Sequence, residues 1–314
     1  MRDLLKRTVF ILLITCLFSS ASACTAFFIH QNGGIFLCKN FDWMDGEGMV
    51  MFSPSGKQYH DPVTGTSWTA RYSSITFCYK QTSNTVGGMN EEGLVIEELS
   101  ALPFSFQEKS DKLQVNEFQW ISYHLDNCAS VEEVVRNQQN INLVPEEHCL
   151  HYIIADGQGD VAVIEFASGG CIVYRGDELP YPLLSNNPYA SSLRYLASFN
   201  GFGGSMPVPV SKGSCDRFVI AAKQLQNISN NANVCVNSCF CMLDNVQQYD
   251  TQWQIVYNIR ERQIYFRVSD SFFLHRINLA AFMVNPGTEG FSISLMEFTG
   301  SARLDDLVTK QKPL

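Results

Sequence analysis

Cys24 stands directly behind Ala21-Ser22-Ala23, a small-residue pattern of the kind cut when a secretory signal is removed. Upstream, Arg2, Lys6 and Arg7 give a positive start and residues 8–18 form an apolar run. That order of charge, apolar run and small residues predicts a signal peptide over residues 1–23, with residues 24–314 as the mature chain. The run is too short for the roughly 20 residues a membrane-spanning helix needs. Cleavage after Ala23 would leave Cys24 first, with its thiol beside its own α-amine. Such an amine has an ordinary pKa of about 7.7–8.0, so at neutral pH a useful share can accept the thiol proton. A terminal cysteine therefore carries nucleophile and general base in one residue and needs no histidine partner. The competing reading of this segment is a lipoprotein signal, in which the thiol is lipidated and the product is a surface protein. Lipoprotein signals usually carry Leu three residues before the cysteine, whereas Ala21 stands there.

The elements that must position Cys24 are legible nearby. Residues 25–29 and 35–41 flank Asn32-Gly33, a strong hairpin signal. A two-residue turn sets Cys24 opposite Phe41 and Ala26 opposite Lys39; a three-residue loop sets Cys24 opposite Asp42. Either register brings Lys39 or Asp42 close to Cys24, since cross-strand neighbours lie about 5 Å apart. Strict alternation cannot place both on one face, so a bulge or the strand end must reconcile them. In this setting Lys39 would lower the thiol pKa and Asp42 would hold the amine.

Further along, hairpins are expected from residues 151–156 with 161–166 and from 253–257 with 263–268. Helices are expected over 118–125, after the Ser130-to-Glu133 capping box, and over 216–225 with Asp216 as N-cap. Hairpins interleaved with helices, without βαβ alternation, indicate an α+β fold with antiparallel sheets. No repeat, low-complexity tract or linker divides the chain, so one domain is expected.

Composition narrows the partners. Removing residues 1–23 takes the formal net charge from −9 to −11. A chain that acidic, without a basic run, is a poor ligand for nucleic acid or anionic membrane. Ten cysteines remain after Cys16 departs. With Cys24 kept as a thiol, nine are left, so at least one more is unpaired even if export permits disulfides. The Cys235, Cys239, Cys241 cluster lacks the paired spacing of zinc sites and is expected to be buried or disulfide-linked. The six histidines show no ligand spacing, and no metal or organic cofactor is expected.

Six segments then occur in order across the mature chain: Cys24-Thr25-Ala26, Lys39-Asn40-Phe41-Asp42-Trp43, residues 88–94 (GMNEEGL), residues 184–188 (LSNNP), Asp216-Arg217-Phe218 and Thr251-Gln252-Trp253. Together they resemble the choloylglycine hydrolase family of linear amide C–N hydrolases, which holds bile salt hydrolases and penicillin V acylases. The resemblance implies the N-terminal nucleophile hydrolase fold, a four-layer αββα sandwich of two antiparallel sheets between helices. It also implies roles: Cys24 as nucleophile and, through its amine, base; Asp42 to orient that amine; Asn186 to donate its side-chain amide to the oxyanion; Arg217 to lie near the nucleophile.

Two positions depart from the bile salt hydrolase pattern. Lys39 stands where those enzymes carry Arg, keeping the charge but losing the bidentate fork. Ser100 stands where they carry Asn; in the family that position contributes chiefly its backbone N–H, so Ser100 is compatible with catalysis. The implied product is an exported, periplasmic or secreted hydrolase acting on a small-molecule acyl amide. A catalytically silent member of the fold that binds small ligands is the alternative. The acyl and amine groups stay open, among them bile conjugates, penicillin V and acyl homoserine lactones, and so does oligomeric state, a homo-oligomer included.

Overall fold

Asn32 and Gly33 both adopt positive φ, 49° and 84°, the backbone that lets a two-residue turn follow the twist of its strands. They join β1 (Thr25–Gln31) to β2 (Gly34–Asp42), with Ala26 opposite Lys39 and Gln31 opposite Gly34. The two-residue register is thus the one adopted, and the three-residue alternative is excluded. The computed structural model describes residues 23–80, 82, 84–102, 111–167, 170–228, 234–269, 271, 273–283 and 290–298. The signal segment assigned to residues 1–23 falls, but for Ala23, outside them.

β2 is central in a six-stranded antiparallel sheet. On one side lie β1 and β14 (Leu183–Ser185); on the other, β15 (Thr251–Asn258), β16 (Gln263–Val268) and β17 (His275–Asn278). From Ile35 to Asp42 every β2 residue is buried, because one sheet face meets helices and the other meets a second sheet. That sheet has eight strands, in the order β13 (Gly170–Arg175), β12 (Val161–Ala167), β11 (Leu150–Ala155), β8 (Val95–Ser100), β7 (Thr85–Asn90), β6 (Ser74–Tyr79), β3 (Gly48–Ser53) and β18 (Phe291–Ser294). Short pairs β4 (Gln58–His60) with β5 (Ser67–Thr69), and β9 (Leu113–Val115) with β10 (Ile141–Leu143), lie outside both.

Helices close the outer faces. α1 (Glu117–Asn127) lays Trp120, Ile121 and Leu125 against β7 and β8. Its capping box joins Asn116 to Gln119, a signal the sequence reading missed in placing the helix at 118–125. α2 (Val131–Asn137) starts at Ser130, whose hydroxyl accepts from Glu133 N as expected. α3 (Tyr189–Leu196) and α4 (Ser214–Ile228) pack on β14, and α4 also on β1. Asp216 lies inside the first turn of α4 and is not its N-cap. α5 (Val236–Asn245) covers β2 and β15, and α6 (Leu279–Met283) follows β17. The architecture is the α+β, four-layer αββα arrangement expected.

All ten described cysteines are free thiols. The Cys235 cluster needs correction: helical spacing turns only Cys239 inward, where it hydrogen-bonds Cys38 of β2, and leaves Cys235 and Cys241 exposed. No disulfide joins them.

Candidate active site

The site is centred on the ends of two strands. Cys24 immediately precedes β1 and Asp42 closes β2, so the hairpin register brings both to the same edge. Cys24 Sγ lies 3.9 Å from the Asp42 carbonyl oxygen. Both residues are buried, at 1% and 0% exposure. Burial pushes the Cys24 thiol well above its ordinary range; Lys39 pulls it down, and Glu98 and Asp42 push it up. Lys39 lowers the thiol pKa as expected, but desolvation outweighs the cation, and the thiol needs a base to ionise.

The β1–β2 ladder runs unbroken to its last pair, Thr25 with Asn40, so the strand end, and not a bulge between these strands, brings Asp42 to Cys24. A bulge lies on the neighbouring strand instead. β15 pairs Thr251 with Asp42 and Trp253 with Phe41, leaving Gln252 extra. The displaced Thr251 hydroxyl donates to Asp42 Oδ1 at 2.5 Å, and the Gln252 side-chain amide donates to Trp43 O at 2.7 Å. Trp253 stacks on Phe41 at 3.9 Å. Burial raises the Asp42 pKa to about 7, against the Thr251 hydrogen bond and the Arg217 charge, which lower it.

Arg217, on the first turns of α4, is 1% exposed. A cation there opposes the helix dipole, and its hydrogen bonds supply the compensation. Nε donates to Thr25 Oγ1 at 2.8 Å and Nη1 to Lys212 O at 2.8 Å. Nη2 donates to Cys24 O at 3.1 Å and to Asn186 Oδ1 at 2.7 Å. One guanidinium thus ties the residue that would become the chain start to the Asn186 side chain. Asn186 Nδ2 in turn donates to Ser100 O at 3.0 Å, linking the end of β14 to the end of β8 across the two sheets.

Lys39 reaches across the sheet interface. Its Nζ lies 2.9 Å from Glu97 Oε2 and 3.1 Å from Glu98 Oε1, and 5.3 Å from the Phe41 ring centre. Burial works against its charge, but Glu97 and Glu98 outweigh it and raise its pKa above the ordinary lysine range. Glu97 also accepts from Tyr257 OH at 2.5 Å.

All six residues singled out in the sequence meet here. Thr25, Thr251, Glu97 and Glu98 were missed as contributors. Thr25 and Thr251 lay inside quoted motifs; the two glutamates carried no signal, because their partner Lys39 is distant in sequence. The structure also defines which residues wall a narrow pocket of about 330 Å³ including its mouth, into which Cys24 opens. Its walls are mainly apolar, with Phe41, Trp43, Tyr79, Phe118 and Leu150 among them, and His148 at its side. The His148 ring stands edge-on to Trp43 at 5.5 Å. Among the described residues no cluster of three or more His, Cys, Asp or Glu is arranged to hold a metal ion.

The geometry can be set beside known proteins. The model for linear amide C–N hydrolases, choloylglycine hydrolase family, matches residues 24–288. The chain is 27% identical over 181 residues to a penicillin V acylase of Pectobacterium atrosepticum, covering 52% of this chain and 48% of that protein. It is 28% identical over 205 residues to a bile salt hydrolase/transferase of Lactiplantibacillus plantarum, covering 59% of each. The chain thus spans about half to three-fifths of these relatives. Among solved structures, the penicillin V acylase of Agrobacterium tumefaciens superposes with a TM-score of 0.78 at 21% identity, covering 93% of this chain and 97% of that one. A conjugated bile acid hydrolase of Clostridium perfringens superposes at 0.72 and 17% identity, covering 82% and 93%. At those identities the structures speak for the fold alone. With the family match running from Cys24 across most of the sequence, this chain belongs to the choloylglycine hydrolase family of linear amide C–N hydrolases.

Proposed function

We propose that this chain is an exported amidase, periplasmic or secreted, that hydrolyses linear acyl amides with Cys24 as nucleophile. The observation that carries the reading is the Arg217 guanidinium, which holds both the Cys24 carbonyl and the Asn186 side chain. Removal of residues 1–23 frees the Cys24 α-amine, and residues 24–314 act as one catalytic domain. The amine takes the thiol proton, and sulfur attacks the amide carbonyl. Asp42 orients the amine. The developing oxyanion is met by the Ser100 backbone N–H and by the second N–H of the Asn186 amide, the first being given to Ser100 O. Collapse of the intermediate expels the leaving amine, which takes the proton back from the ammonium. Water then adds to the thioester, releasing the acid and restoring the thiol. Arg217 fixes the geometry, and Lys39 balances the charge of Glu97 and Glu98. The chemistry calls on no metal or organic cofactor. Apolar pocket walls beside Cys24 suit an apolar acyl group.

The test is to sequence the N-terminus of the exported protein and assay it against a panel of acyl amides, then trap the thioester by mass spectrometry. A free Cys24 terminus with turnover and a thioester mass on Cys24 is expected. A blocked or displaced terminus, or turnover with no adduct on Cys24, overturns the mechanism. Ligand binding without turnover would favour the silent, small-ligand-binding alternative.

A further inference from the structure

Glu98 has a feature the proposed chemistry leaves unused. It is 4% exposed and lines the pocket beside Cys24, whose other walls are mostly aromatic and aliphatic. Its Oε1 accepts from Lys39 Nζ at 3.1 Å. Among the described residues its second oxygen makes no hydrogen bond, yet it is not among the fully shielded polar atoms. That oxygen therefore faces the pocket's own space. Lys39 does not neutralise it alone, because the same ammonium also serves Glu97 at 2.9 Å.

Resting on the amidase reading above, we propose that Glu98 selects substrates whose acyl chain carries a hydrogen-bond donor, a hydroxyl above all, on an apolar body. A plain apolar chain filling this pocket strips water from the carboxylate oxygen and offers nothing in return. A donor at that point restores the lost hydrogen bond. Sites built to hydrogen-bond a substrate hydroxyl reject the analogue lacking it far more strongly than apolar pockets discriminate by size. The apolar walls Phe41, Trp43 and Phe118 assign Glu98 to the acyl side.

The test compares a phenylacetyl amide with its ortho-, meta- and para-hydroxy forms, all on the same amine. At least one hydroxylated form is expected to show kcat/KM at least about tenfold higher in the unaltered enzyme. In Glu98→Leu that ratio should fall to about one, Glu97 still pairing Lys39. Because each ratio is taken within one enzyme, a general loss of rate in the variant cancels. Where turnover is too slow to measure, the same amides are titrated calorimetrically into Cys24→Ala and into Cys24→Ala with Glu98→Leu, whose folding is checked by circular dichroism. Equal rates or affinities for plain and hydroxylated amides in the Glu98-containing protein would overturn the assignment, as would a preference that survives Glu98→Leu. Turnover of any amide shows the amidase reading intact whichever way the ratio falls.

Discussion

Two regions of the site are built on opposite principles. The corner where β1 begins and β2 ends is polar and internally bonded: Cys24, Asp42, Asn186, Arg217 and Thr251 are joined by side-chain and main-chain hydrogen bonds at 2.5–3.1 Å, beside the longer sulfur contact. The pocket next to it is walled mainly by rings and aliphatic chains and holds one carboxylate. In the corner, buried polar groups are costly unless each is satisfied, so every residue depends on its neighbours and substitutions act sharply. Along the pocket wall, contacts are diffuse and a change in one ring is partly absorbed. The corner is thus suited to chemistry and the wall to choosing what reaches it.

Cys24→Ala tests the contrast most severely. Turnover should fall by at least about 10⁴-fold while circular dichroism stays unchanged; measurable thioester chemistry in that variant would remove the corner from the reaction. Asn186→Ala should lower kcat by roughly 10²–10³, the loss found when one oxyanion donor is removed. A fall confined to KM would instead give Asn186 a place in binding.

Asp42 gives a test in which cleavage itself is the variable. In the uncleaved chain, burial raises its pKa from 3.8 to about 7. A raised folded-state pKa means stability fully present below the unfolded value and lost as pH rises through about 7. A chain that retains Ala23 should therefore lose about 2–3 kcal/mol of unfolding free energy between pH 5 and pH 8 relative to Asp42→Asn. The cleaved chain, with an α-ammonium beside Asp42, should lose less. Urea titrations at both pH values measure it, and identical pH dependence in all three proteins would dissociate Asp42 from the new terminus. The gentlest test is Trp43→Ala in the pocket wall. It should raise KM for an aromatic acyl amide by about tenfold with kcat within a few-fold. A kcat collapse in that variant would mean wall and corner are not separable.

What could be read beforehand follows the same division. The β1–β2 hairpin was legible because its turn chemistry is local, and Asn32-Gly33 admits the register the strands adopt. Asp42 and Lys39 could be placed near Cys24 from that register, while Asn186 and Arg217 came only through motif resemblance. The antiparallel α+β class and most helix positions came from periodicity and capping, though Asp216 entered the helix instead of capping it. Glu97 and Glu98 went unnoticed because their meaning lies in Lys39, on the other sheet. The net direction of the Cys24 shift was not legible for a related reason. A nearby cation can be guessed from pairing, but the depth of burial that outweighs it is a property of the packed layers.

By itself, the amino-acid sequence determined the hairpin and its turn, the cysteine set at its start and the acidic character of the chain. Those properties depend on contiguous residues, on turn dihedrals and on summed charge. Tertiary structure alone decided that one guanidinium spans Cys24 and Asn186, that a bulge in β15 sets Thr251 against Asp42, and that Lys39 is shared between two glutamates. Each joins groups far apart along the chain, and only strand pairing, helix packing and the stacking of the two sheets set their distances, their desolvation and hence their strength.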